Sequence, residues 1–93
     1  MSTWPFDDPE NVVSVTVRQV MDRSEPILLV CHDEDDGGWQ FLTGGSFSMQ
    51  DALLVTLRSV TELDPSILEL ADLPLGWQAT RATVEAAWER SPS

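Results

Sequence analysis

The stretch Ile27-Leu28-Leu29-Val30-Cys31-His32-Asp33-Glu34-Asp35-Asp36-Gly37-Gly38-Trp39-Gln40-Phe41-Leu42 decides the fold. Its first five residues are apolar at every position, the pattern of a strand covered on two sides, and this run is expected at the centre of the sheet. Four consecutive acids and two glycines then separate it from a second strand-like run, Trp39 to Leu42. Asp-Gly between two such runs marks a hairpin, because the central residues of a type I′ turn need positive φ. The reading is strand, acidic turn, strand. If the connecting loop holds an even number of residues, opposed positions sum to an odd number and His32 shares a face with Trp39 and Phe41. An odd loop would put Cys31 there instead.

Towards the N-terminus, Val13, Val15 and Val17 alternate with Ser14, Thr16 and Arg18, a period of two that predicts a strand with one buried face. A helix from Ser14 is the rival, since Val13, Val17, Val20 and Met21 also fall near 3.6-residue spacing. The strand is preferred, followed by a turn or short helical segment through Arg23, and Ser24-Glu25-Pro26 breaks the chain. Residues 1–11 carry Trp4, Pro5, Pro9, Asp7, Asp8 and Glu10 without periodicity and read as a flexible acidic arm, with docking of Trp4 as the alternative. Residues 12–93 then form one domain.

Towards the C-terminus, Thr43-Gly44-Gly45 ends the hairpin, and Ser48 with Asp51 has capping-box spacing. An amphipathic helix is expected from Met49 to Thr61, with Met49, Leu53, Leu57 and Val60 as its apolar stripe. Asp64-Pro65 predicts a shorter helix, Asp as N-cap and Pro at the first helical position, limited by Pro74. Trp77, Ala79 and Arg81 alternate with Gln78 and Thr80 as one more strand. Thr83 to Arg90 is expected to form two helical turns. The fold class is α+β: a small antiparallel sheet of three to four strands with one main amphipathic helix and one or two short ones.

Composition bounds the function. The chain has 93 residues, 42% hydrophobic and 23% charged, with 16 Asp and Glu against five Arg and a formal net charge of −11. A length of this order holds one domain. Binding to nucleic acid needs clustered cations that displace condensed counterions, and anionic membranes need the same, so neither is expected as a partner. A basic protein is the partner that the charge favours, with the chain a monomer or homodimer. The N-terminus lacks the basic start and apolar run of a signal peptide, and no run approaches a membrane span, so a cytoplasmic location is expected. Cys31 is the one cysteine, which excludes an internal disulfide and a thiolate zinc site.

The candidate chemistry centres on the acidic turn. Asp33, Glu34, Asp35 and Asp36 lack the alternating spacing of an EF-hand, and consecutive side chains diverge, so no metal ligand set is assigned. Cys31 beside His32 suggests a thiol with a base, but neighbours on a strand point to opposite faces and cannot meet. No catalytic residue and no cofactor are assigned. No Gly-x-Ser-x-Gly elbow, Walker lysine or dinucleotide fingerprint is present. The candidate partner-binding set is His32, Asp33, Glu34, Asp35, Asp36 and Trp39. Two alternatives stand beside it: a weak divalent-metal enzyme or metal-binding protein centred on His32 and the acidic turn, and a self-associating structural subunit.

The segment Ile27 to Phe41, with His32-Asp33, Asp36-Gly37-Gly38-Trp39 and Gln40-Phe41, resembles a family of small bacterial proteins of unknown function later grouped with predicted immunity proteins of polymorphic toxin systems. That family shows Asp-Ser-Gly-Trp-x-Phe after an acidic strand end, and Gly37 stands here at its Ser. Gly44-Gly45, the following helix, Asp64-Pro65 and the turn from Pro74 to Trp77 are similar in order. The resemblance implies a binding role without catalytic residues. An acidic surface suits such a role, since it occludes a basic toxin site and speeds association by steering.

Overall fold

The computed structural model describes residues 4–93. Six strands form one sheet: β1 Val13–Val17, β2 Leu29–His32, β3 Trp39–Leu42, β4 Ala52–Thr56, β5 Trp77–Thr80 and β6 Glu89–Pro92. Their order is β4-β1-β3-β2-β5-β6, with β1 and β3 parallel and every other pair antiparallel. Two helices, α1 Arg18–Met21 and α2 Leu57–Leu63, and 3₁₀ turns at Met49–Asp51 and Pro65–Leu70 complete the elements. The fold is α+β as expected, but the sheet is mixed and larger than three or four strands.

One row of paired residues shows how the sheet makes a core. Thr16 opposes Phe41, Phe41 opposes Val30, and Val30 opposes Ala79, and all four are fully buried. Leu57 and Val60 of α2, with Ile67, Leu70 and Leu73, cover that face. Thr16 is tolerated there because its hydroxyl donates to the Phe41 carbonyl at 2.7 Å, which removes the penalty for burying a polar group. The other face, with Val15, Gln40, Cys31 and Gln78 in register, is half-buried by its own neighbours.

Two expected helices are corrected. The long helix from Met49 to Thr61 is three elements: a 3₁₀ turn, strand β4 and α2. The Ser48–Asp51 capping box forms, but it caps only that 3₁₀ turn. Ala52–Thr56 then pairs with all five residues of β1, which gains a ladder that a helix could not supply. Thr56 supplies the cap of α2, its hydroxyl accepting from the Ser59 amide at 3.2 Å. The helical turns expected over Thr83 to Arg90 are likewise replaced by turns and by β6, which pairs with β5 from Thr80↔Glu89 to Trp77↔Pro92. Trp88 reaches the core by lying over the Arg81 guanidinium, 4.1 Å from its ring centroid.

Residues 4–11 lie against the body. Phe6 is buried and meets Trp39 edge-on at 5.2 Å, Trp4 packs on Phe6, and the Arg58 amide donates to the Glu10 carbonyl at 3.0 Å. The first three residues of the expected arm lie outside the described residues.

Candidate functional site

The β2–β3 connection has six residues, Asp33 to Gly38, so the even-loop register holds and His32 stands opposite Trp39. The turn is closed at its base by the Asp33 amide donating to the Gly38 carbonyl at 2.8 Å and the Gly37 amide donating to the Asp33 carbonyl at 2.9 Å. Gly37 takes a φ of 72°, the left-handed conformation that glycine adopts without a Cβ clash. The Gly38 amide donates to the Asp36 carboxylate at 2.8 Å, and the Gln40 amide group donates to that of Asp33 at 2.7 Å. The backbone is thereby fixed while Glu34, Asp35 and Asp36 stay exposed.

His32 is held behind the turn. Its Nδ1 lies 2.6 Å from the Leu73 carbonyl, which can only accept, so Nδ1 carries the proton. Its ring stacks on Trp39 with centroids 3.9 Å apart and planes 12° from parallel. Trp39 is buried, and its indole N–H donates to the Asp8 carboxylate at 2.8 Å. The sequence set therefore divides. Asp33 to Asp36 form the surface, while His32 and Trp39 lie beneath it and set the hairpin's position.

Three residues that the sequence reading left out share the site. Gln40, Gly76 and Ser93 line, with Asp33 to Asp36, an open groove of about 410 Å³. Gly76, at a φ of 80°, donates its amide to the His32 carbonyl at 2.7 Å and accepts from the Ser93 amide at 2.9 Å. The turn at Leu75-Gly76 was legible in the sequence, but its position beside the acidic hairpin depends on β2–β5 pairing, which no local pattern encodes.

The acids of the turn stand outside the ion pairs of the described residues, as do Asp7, Asp8, Glu25, Glu69, Glu85 and Glu89. Among the described residues, Arg18 pairs with Asp22 and Asp51, Arg58 with Glu10 and Glu62, Arg81 with Asp64, and Arg90 with Asp72. None of these ion pairs involves Asp33, Glu34, Asp35 or Asp36. Among the described residues, no group of three or more His, Cys, Asp and Glu side chains converges to hold a metal ion. Cys31 lies on the opposite side of its strand from His32, and burial, aided by the Asp33 charge, pushes its thiol up from its ordinary value, which disfavours the nucleophilic thiolate.

A second cavity, about 360 Å³, lies between Pro26, Ile27, Leu63 and Val84 with Arg81 in its wall. That guanidinium donates to the Ile27 carbonyl, the Ser66 hydroxyl, the Val84 carbonyl and the Asp64 carboxylate, which fix it in the wall. Among the described residues, no helix is long and apolar enough to cross a membrane. No family model, curated protein or solved structure matches the chain.

Proposed function

We propose that the protein is a small acidic binding module whose Asp33–Asp36 turn docks on a basic surface of another protein, in the manner of an immunity protein that occludes a basic toxin site. The observation that carries this reading is a hydrogen-bonded turn with three exposed carboxylates, Glu34, Asp35 and Asp36, and the half-buried Asp33 at its base, with no internal cation paired to it among the described residues. Such charges attract a cationic partner from a distance, and a fixed backbone lowers the ordering cost of docking. The −11 net charge adds a field of the same sign.

The test is paired affinity capture with two baits, the wild-type chain and a variant carrying Asp33→Asn, Glu34→Gln, Asp35→Asn and Asp36→Asn. A partner held by the first and lost from the second supports the reading, and its association rate should fall steeply with salt. Equal retention by both baits, or a salt-independent association rate, would overturn it.

A further inference from the structure

We infer that the cavity at the end of α1 binds a free apolar α-amino acid, its carboxylate on Arg23, its ammonium on Glu25 and its side chain against Val20, Ile27 and Leu63. The chain leaves α1 through two backbone bonds, the Arg23 amide to the Val20 carbonyl at 3.1 Å and the Ser24 amide to the Gln19 carbonyl at 3.0 Å. A helix end of this kind holds one residue in the left-handed region, most often glycine, and here that residue is Arg23 at a φ of 66°. Among the described residues it is the one non-glycine with a positive φ. No ion pair offsets that strain: Arg18, Arg58, Arg81 and Arg90 each join one, and among the described residues Arg23 joins none. Glu25 also stands outside those pairs, and both residues line the cavity.

The rest of the wall selects the ligand. Its other two charges, Arg81 and Asp64, neutralise each other at 2.8 Å, and Val20, Ile27 and Leu63 give it an apolar surface. One cation, one anion and that surface remain, around about 360 Å³, the small end of the range for ligand pockets. An anion with an apolar body would meet Glu25 and the field of a chain of −11 charge, and a cation would meet Arg23, whereas a dipolar molecule without net charge is opposed by neither. A guanidinium takes a carboxylate through two parallel N–H bonds, and a carboxylate accepts from an ammonium. Two long side chains two residues apart can both reach the groups on one α-carbon. The cavity shares no lining residue with the groove at the acidic turn, so this site is independent of the proposed docking function.

Chemical-shift titration of the full chain with four probes tests it: leucine, N-acetyl-leucine, leucinamide and glycine. Leucine should shift the Val20, Ile27 and Leu63 resonances saturably. Blocking its ammonium, blocking its carboxylate or removing its apolar side chain should each weaken binding at least about threefold, the scale of one solvent-exposed charge pair. Arg23→Gly should weaken leucine by a similar factor while melting no lower than the wild type, because glycine relieves the left-handed strain. Glu25→Gln should weaken leucine and narrow its advantage over N-acetyl-leucine, which has no ammonium to lose. The proposal is overturned if leucine leaves those resonances unmoved, if the four probes bind alike, if Arg23→Gly keeps wild-type affinity, or if that variant melts below the wild type and so shows that the side chain serves the fold.

Discussion

The imidazole of His32 lies face to face with the indole of Trp39, 3.9 Å between centroids, while its Nδ1–H bonds the Leu73 carbonyl at 2.6 Å. One side chain thus joins the acidic hairpin to the segment that leads into β5. His32→Phe keeps a ring on Trp39 but leaves Leu73 without its donor, which should cost about 1–2 kcal/mol. His32→Ala loses the stack as well and should cost about 2–3 kcal/mol. Urea unfolding of both variants checks the order, and an alanine variant as stable as the phenylalanine one would contradict the stacking contribution.

Arg81 ties together parts of the chain that are far apart in sequence. Its side chain is 2% exposed and bonds the Ile27 carbonyl at 3.0 Å, the Ser66 hydroxyl at 3.0 Å and the Asp64 carboxylate at 2.8 Å, with Trp88 stacked over it. Arg81→Ala leaves the Asp64 carboxylate without its cation and should destabilise by about 3 kcal/mol, the lower end of the range because Asp64 retains some solvent. Arg81→Lys keeps the charge but cannot reach all these acceptors from one ammonium, and about 1–3 kcal/mol should be lost. Chemical denaturation with a lysine variant equal to wild type would show that the fork geometry does not matter.

What the sequence revealed and concealed follows from where burial is periodic. The two strands and the acidic turn between them were legible, but the sequence left either His32 or Cys31 opposite the aromatics, and the six-residue connection places His32 there. The segment from Met49 misled because its leucines satisfy a helical stripe, yet in the structure only Leu57 and Val60 of that stripe are buried, while Met49 and Leu53 face solvent. Val55-Thr56 and the second capping signal, Thr56 with Ser59, were the local cues for β4 and α2. Strand β6 had no buried face to read, all four of its residues being exposed. The parallel β1–β3 contact depends on chain routing, which residue alternation does not encode. For the site, composition located the acidic turn, whereas the burial of Trp39 and the approach of Gly76 and Ser93 required the tertiary structure.

Gly37 sets the shape of that turn through backbone conformation alone. A Cβ added there would come no nearer than 3.9 Å to Leu75, so there is space for one, but its φ of 72° disfavours most side chains. Gly37→Ala should therefore cost about 1–2 kcal/mol, and Gly37→Asn less, because asparagine enters the left-handed region more readily. Thermal unfolding of the two variants distinguishes them. An alanine variant more stable than the asparagine one would show that the turn relaxes to another conformation.

Acid should weaken the fold through carboxylates remote from the turn. Hydrogen bonds from Gln19, the Ser48 amide and Arg18 hold the Asp51 carboxyl below its ordinary value of 3.8. Asp22, bonded by Ser24, and Asp72, bonded by Arg90, are held below it as well. Each folded-state value is depressed, so just below pH 4 the unfolded chain takes up protons that the folded chain refuses. The stabilisation is complete above 3.8 and is lost as pH falls through the lowered folded values. Asp51→Asn removes one of these titrations, and its melting temperature, measured from pH 6 to pH 2, should fall less steeply than that of the wild type. Parallel acid slopes for the two proteins would mean that Arg18 and Gln19 gain nothing from the ionised carboxylate.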